Sequence, residues 1–383
     1  MNPQTGGKLV GEGSYGNVFY PGFPCQDKDT KGDYDLSKLF ITKQGKQLAL
    51  QEIKNGTRIK QIPNYKDWAW SWNVSCTPRN YQSMLRSDPD ISQLRLHSSI
   101  QDINKYRYML LGYHGGKPLP ELIQEIFTRD IFESKKLFVS AFYNYMDLCN
   151  SLFLGLKELS KAGMSHNDIK INNVVVWIRP RGDRLKEFRD KQYALGRWNR
   201  CGVDGLKLID FGISCKYSNR SHFKDRSVLE FITRRITLNY TYEYIYSYVS
   251  KELLQDELDE TNQGYYRELH GIFKDIHQEL FQRKKIDEYV CRELQSKIKQ
   301  PLLKKEKQEM CQLIDIYSLG ITLLLPLYTT ALYLDYDSKL KSYLRSKELT
   351  PFLDLFTQMT SLNYKQRIHP EKAFRIHTQL ISG

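Results

Sequence analysis

Two polar clusters, each set against a short apolar run, constrain this chain more than any other feature. The first is His166-Asn167-Asp168-Ile169-Lys170-Ile171-Asn172-Asn173, followed at once by Val174-Val175-Val176-Trp177. The second is Asp210-Phe211-Gly212, preceded by Leu206-Lys207-Leu208-Ile209. Short apolar runs rich in β-branched residues and bounded by polar residues and glycine read as buried strands. The order is then polar loop, strand, strand, acidic turn. The stretch 179–205 between the strands is rich in Arg, Lys and Asp and reads as an insertion on a hairpin. Its charges read as a solvated face, although Arg179, Arg181 and Arg184 suit an acidic partner.

These clusters supply what phosphoryl transfer from a metal-bound nucleotide demands. That reaction needs a base to orient the acceptor, metal ligands, and positive charge near the transferred group. Asp168 can orient a hydroxyl, Lys170 can sit against the transferred phosphate, and Asn173 and Asp210 can hold Mg2+. Near the N-terminus, Lys8-Leu9-Val10 precede Gly11-Glu12-Gly13-Ser14-Tyr15-Gly16, and Asn17-Val18-Phe19-Tyr20 follow. Glycines at the first, third and sixth positions let backbone amides approach phosphates closely. A dinucleotide-binding fold would place a helix next; Val18-Phe19-Tyr20 and then Pro21 predict a second strand and a break.

Together these phrases resemble the eukaryotic protein-kinase family. His166, Asp168, Lys170 and Asn173 match its catalytic loop, and Asp210-Phe211-Gly212 its magnesium-binding triplet. Gly11, Gly13, Gly16 and Val18 match its phosphate loop. The resemblance implies an α+β, two-lobed protein-kinase-like fold: a small β-rich N-lobe over residues 1–112 and a larger helical C-lobe over 113–383. It also implies a strand lysine paired with a helix carboxylate. Lys38, on the strand Tyr34-Asp35-Leu36-Ser37-Lys38-Leu39-Phe40, and Glu52, in a helix predicted over Leu48 to Lys54, fill those places. Lys54 is the competing strand lysine, on a strand reading of Leu50 to Lys54. The strand from Tyr106 to Leu111 runs into Gly112-Tyr113-His114-Gly115-Gly116 and resembles the hinge. There the backbone of Leu111 and Tyr113 would read the adenine edge of ATP.

Further on, residues 117–165 read as helical. Phe142, Met146, Leu148, Leu152, Leu156 and Leu159 form a core stripe, ended by Ala162-Gly163. Thr237-Leu238-Asn239-Tyr240-Thr241-Tyr242-Glu243 resembles the end of the activation segment. Leu313-Ile314-Asp315-Ile316-Tyr317-Ser318-Leu319-Gly320 resembles the family's D-x-W-S-x-G helix start, where Asp315 would cap catalytic-loop amides. Gln366-Arg367-Ile368-His369 resembles its late arginine, which implies a buried Glu243–Arg367 pair. The span 251–309 is charged, with apolar residues at helical intervals, and reads as an inserted helical subdomain. The insertions, the Ser37-Lys38-Leu39 strand and Ile59-Lys60-Gln61-Ile62-Pro63-Asn64-Tyr65 resemble the divergent serine/threonine kinases of large DNA viruses.

Composition narrows the partners. The chain has 383 residues and is 40% hydrophobic, enough for a sizeable core. Its formal charge of +13 suits an anionic nucleotide or an acidic protein partner. No aromatic-interleaved basic motif appears, so nucleic acid is not favoured. The 7 cysteines form no C-x-x-C pair, which argues against a zinc site or a disulfide framework and for reduced thiols in a cytoplasmic setting. For a viral chain that setting would be host-cell cytoplasm or virion. The apolar run Leu319 to Leu334 reads as a buried core helix rather than a membrane span.

The expectation is therefore an ATP- and Mg2+-dependent enzyme phosphorylating Ser/Thr of a protein substrate. Lys170 favours Ser/Thr acceptors by resemblance. Two other classes compete: a pseudokinase acting as a binding module, and a small-molecule kinase of the choline or aminoglycoside type. The family's arginine before the catalytic aspartate is Asn167 here. Asn167 cannot pair with an activation-segment phosphate, so activity independent of such phosphorylation is expected.

Overall fold

The apolar runs of the N-terminal third form a five-stranded sheet in which every neighbouring pair is antiparallel, with strand order β1-β2-β3-β5-β4. The strands are β1 (Lys8–Glu12), β2 (Asn17–Tyr20), β3 (Leu36–Phe40), β4 (Val74–Cys76) and β5 (Tyr108–Gly112). The computed structural model describes residues 8–12, 16–20, 22–26, 36–40, 43–79, 108–112, 116–178, 203–217, 312–361 and 364–382. The architecture is mixed α+β, with this small antiparallel sheet first and helices later. The chain divides into two units: Met1–Gly116 with Ile209–Ile213, and Lys117–Leu208 with Ser214–Gly383.

In the first unit, helix α1 (Lys43–Ile59) covers one sheet face. Leu36, Phe40, Ala49, Trp72 and Leu110 form the core there, with Val18, Ile53 and Trp70 against them. The helix begins five residues before the predicted start. Its buried stripe is Ala49, Glu52, Asn55 and Ile59, at three- and four-residue spacing. Two of these four are polar, so the apolar periodicity alone understates the element. A short helix α2 (Tyr65–Trp68) leads to β4. At the end of β5, a Cβ on Gly112 would lie 2.6 Å from the Trp70 ring, so this strand end tolerates only glycine.

One expectation is overturned here. Cys25 and Cys76 form a disulfide, with Cα atoms 5.8 Å apart. Its cause is tertiary rather than a spacing motif. Cys25 bridges Pro78, the Gln26 N–H donates to Thr77 O at 2.8 Å, and the Arg79 N–H donates to Pro24 O at 2.9 Å. These bonds bring the two thiols together across 51 positions. In the chain-entropy view, closing a loop of that length removes about 4 kcal/mol of unfolded-state freedom. Cys149 and Cys215 are buried and form no disulfide. Cys201, Cys291 and Cys311 lie outside the described residues.

The second unit contains two small sheets. Strands β6 (Lys117–Pro118), β8 (Val174–Ile178) and β9 (Val203–Leu208) pair in the order β6-β8-β9, and β7 (Met164–Ser165) pairs with β10 (Cys215–Lys216). The antiparallel β8–β9 pair is the hairpin predicted from the two apolar runs. Most of its predicted insertion, residues 179–202, lies outside the described residues, as does all of 251–309.

Helices α3 (Leu119–Ile126), α4 (Arg129–Glu133) and α5 (Lys135–Lys161) follow β6. Helix α5 starts at Ser134, whose Oγ accepts the Leu137 N–H, and stops before Gly163, which takes φ +66°. Its core stripe runs through Phe138, Phe142, Met146, Cys149, Phe153 and Leu156. Leu148, expected in that stripe, is only half-buried, and Cys149 takes its place.

The later helices are α6 (Ile314–Tyr333), α7 (Asp337–Leu344), α8 (Thr350–Met359) and α9 (Pro370–Ser382). Among the described residues, α6 alone is long and apolar enough to cross a membrane, but 83% of its Ile314–Ala331 window is buried within the structure. Gly320 lets it approach α8 closely, since a Cβ there would lie 2.6 Å from a Thr360 methyl.

Helix α9 docks on α5 through His377, which is fully buried. Its ring stacks on Phe153 at 4.0 Å, and Nδ1 lies 3.2 Å from Asn150 Oδ1. Burial lowers its pKa to about 4, against an opposing pull from the Met146 backbone. A histidine held neutral in the folded state gives stability that is complete above the unfolded value near 6.5. That stability is lost as pH falls from there towards 4. The loss should reach about 3 kcal/mol. His377→Leu should flatten the decline of melting temperature between pH 6.5 and 4; an unchanged slope would assign the decline to other groups.

Candidate active site

One cluster of candidate residues is assembled within the first unit. Lys38 sits mid-strand in β3, in register with Val18 on β2 and Leu110 on β5. Cross-strand partners share a face, so Val18 and Lys38 project together towards α1's side. Lys38 Nζ lies 2.9 Å from Glu52 Oε2 and 3.7 Å from Asp210 Oδ2. Glu52 Oε1 accepts from Trp72 Nε1 at 2.7 Å. Burial alone would lower the Lys38 pKa, but Asp210 and Glu52 outweigh it and raise it, which holds the side chain as an ammonium. Burial pushes Glu52 up, while Lys38 pulls it back. Lys54, the competing lysine, is exposed on α1 and not on a strand.

Of the glycine-loop residues, Gly11 lies on β1 at a register shift between Leu9 and Gly11. Gly16 is buried, with Leu39 O and the Phe40 ring 3.0 Å from where a Cβ would stand. Gly13 and Tyr113 lie outside the described residues. Leu111 is buried, pairs with Ser37 and Val74, and accepts the Asn73 N–H at 2.9 Å. One lone pair of its carbonyl is thus used inside the sheet.

Asp210 takes φ +63°, a left-handed conformation that asparagine and aspartate tolerate better than other residues with a Cβ. Its Oδ1 faces the Gly212 N–H at 3.4 Å. Its side chain is 39% exposed, open enough to meet a cation.

A second cluster lies within the second unit, where several side chains pin the loop 166–173. Asp315 Oδ2 accepts the His166 N–H at 2.6 Å and Oδ1 the Asn167 N–H at 2.9 Å. The predicted capping role of Asp315 is therefore seen in its geometry. Burial raises the Asp315 pKa, with His166 and these N–H groups pulling the other way. Ser214 Oγ donates to His166 O at 3.1 Å, and Thr322 Oγ1 to Ile169 O at 3.4 Å. His166 Nδ1 accepts the Asp168 N–H at 3.2 Å.

Asn173 Nδ2 donates to Asp168 O and Oδ2, both at 2.8 Å. Lys170 Nζ bonds both Asp168 oxygens at 2.9 Å. Asp168 is thereby held between an ammonium and an amide. Because Asn173 points its N–H groups at Asp168, its Oδ1 is the atom suited to a cation. An amide oxygen, like the Asp210 carboxylate within the first unit, is a hard oxygen donor of the kind Mg2+ takes. Among the described residues no group of three or more His, Cys, Asp or Glu stands together.

Asn167 turns inward. It takes φ +67°, is 2% exposed, and its Nδ2 donates to Cys215 Sγ at 3.3 Å. Arg367 Nη1 donates to Leu313 O at 3.0 Å, Nε donates to Ser361 O at 2.9 Å, and the guanidinium lies 5.1 Å from the Tyr317 ring. Its expected partner Glu243 lies outside the described residues.

Sequence reasoning missed Trp72, Asn55, Ser214, Cys215 and Thr322. Only Asn55 carried a local signal, three positions after Glu52 on the same helix face. Set against known proteins, the chain matches no family model and no curated protein.

Proposed function

We propose that this protein is a two-lobed, ATP-dependent protein kinase that phosphorylates Ser/Thr side chains. The observation that carries the reading is the Lys38–Glu52 pair with the Asp210 carboxylate 3.7 Å from the same ammonium. A buried lysine held charged between two carboxylates, beside a glycine-bearing hairpin, suits the phosphates of a nucleotide. The braced Asp168–Lys170–Asn173 group supplies the acceptor side.

In this mechanism Asp168 accepts the proton of the Ser/Thr hydroxyl as its oxygen bonds to the γ-phosphorus, and the bond to ADP breaks. Lys170 offsets charge on the transferred group, and Lys38 charge on the nucleotide phosphates. Mg2+, held by Asp210 and Asn173 when bound, would neutralise the phosphate oxygens. Label transfer from γ-labelled ATP to a library of Ser, Thr and Tyr peptides, with choline and aminoglycosides as parallel acceptors, tests the reading. Label on Ser or Thr supports it; label only on choline or an aminoglycoside replaces it with small-molecule phosphorylation.

The inward Asn167–Cys215 bond supports activity independent of activation-segment phosphorylation, because asparagine stands at that place and brings no cation to receive an activating phosphate. Phosphatase treatment should leave the rate unchanged. A large loss, restored by rephosphorylation between residues 213 and 243, would overturn this.

A further inference from the structure

Glu52 is one of two polar side chains on the buried stripe of α1. Asn55, one helical turn on, is also fully buried. Its Nδ2 donates to Phe211 O at 2.8 Å and reaches Gly212 O at 3.4 Å. Its Oδ1 accepts from Gln51 Nε2 at 3.0 Å. The Phe211 and Gly212 carbonyls settle the direction of the Asn55 amide: they only accept, so the donors face them and the oxygen is left to the Gln51 amide. Those carbonyls belong to the residues directly after Asp210.

Asp210 holds a left-handed backbone, which a residue with a Cβ keeps only where its surroundings over-determine it. Within the first unit, Lys38 engages the Asp210 carboxylate and Asn55 engages the backbone that follows it. Helix α1 thus reaches Asp210 twice: through Glu52 and Lys38 to the side chain, and through Asn55 to the main chain.

We propose that Asn55 is a positioning residue for Asp210, fixing the turn on which this carboxylate meets a nucleotide-bound divalent cation. The proposal rests on the phosphotransfer reading and adds a determinant of its metal dependence. Asn55 touches neither nucleotide nor acceptor; it acts by holding the 211–212 carbonyls so that the Asp210 oxygens stay aimed.

The test uses the full chain and two variants. Asn55→Leu removes the donors at similar volume. Gln51→Leu, at a half-buried position, keeps the donors and their carbonyls but removes the bond that steadies the amide oxygen. The readouts are the Mg2+ concentration that half-saturates binding of a fluorescent ATP analogue, the analogue's affinity in EDTA, and the melting temperature. Asn55→Leu should raise the Mg2+ requirement about five- to tenfold, with affinity in EDTA unchanged. Gln51→Leu should raise it less, and the double variant no more than Asn55→Leu alone, because both act through one amide.

A lowered melting temperature with the wild-type Mg2+ requirement would make Asn55 merely structural and overturn the proposal. If Asn55→Leu does not fold, Gln51→Leu decides by the same criterion. Wild-type protein that binds Mg2+-nucleotide but transfers nothing sinks the kinase reading while this test stands. Wild-type protein whose nucleotide binding ignores Mg2+ sinks both.

Discussion

Asp168→Ala is expected to lower phosphoryl transfer by about 10²- to 10⁴-fold, the range a positioned acid–base group contributes. The loop around it should survive. Asp315 still holds the His166 and Asn167 N–H groups, Ser214 and Thr322 still hold two carbonyls, and Asn173 keeps its bond to the Asp168 main-chain oxygen. Mg2+-ATP binding should change little, because Lys38, Glu52 and Asp210 are untouched. Asp168→Asn sharpens the test: it keeps the shape and a hydrogen-bonding oxygen but cannot take up the proton. Transfer surviving at wild-type rate in both variants would end the assignment of Asp168 as base. Wild-type protein that binds Mg2+-ATP and never transfers would leave a binding module instead.

The largest stability effect is expected at Glu52. Its side chain is 5% exposed and that of Lys38 12%, so solvent screens the pair little. Glu52→Ala leaves the buried Lys38 ammonium with only the more distant, part-exposed Asp210 carboxylate and leaves the Trp72 indole N–H without its Glu52 acceptor. The cost should be about 3–5 kcal/mol, read from the denaturant midpoint at unchanged slope. Transfer should fall as well, since Lys38 would be left to Asp210 alone. The double variant Lys38→Met/Glu52→Leu separates the two effects. It should regain much of the stability, because no buried charge remains uncompensated, and regain no activity. A single variant within about 0.5 kcal/mol of wild type, the ordinary scatter of surface substitutions, would show that the pair is not buried in solution.

The two clusters of candidate residues were legible to different depths. The Asp168–Asn173 and Asp210–Gly212 phrases are local: each sets its own turn and abuts its own strand, so order along the chain was enough. Asp315 was legible through its helix-start phrase, although its partners lie about 150 positions away. The pairing of Lys38 with Glu52 needed a decision between lysines that local pattern left open. The structure shows why: the stripe of α1 is half polar, so its periodicity is faint and residues 50–54 can be misread as a strand. Trp72, Ser214, Cys215 and Thr322 left no trace, because each acts through hydrogen bonds to partners distant in sequence. The Cys25–Cys76 bond was missed for the same reason, being fixed by the register of a bridge rather than by spacing.

That bond has a topological consequence for the site. Lys38, Glu52, Asn55 and Trp72 all lie between Cys25 and Cys76 in the chain, so a covalent ring closes around them. The lysine, its carboxylate, the indole that steadies the carboxylate and the amide behind Asp210 are therefore stations on one closed loop. Local melting can spread them apart only within the circumference of that ring. A single break in its backbone would open the ring but leave both fragments joined through sulfur.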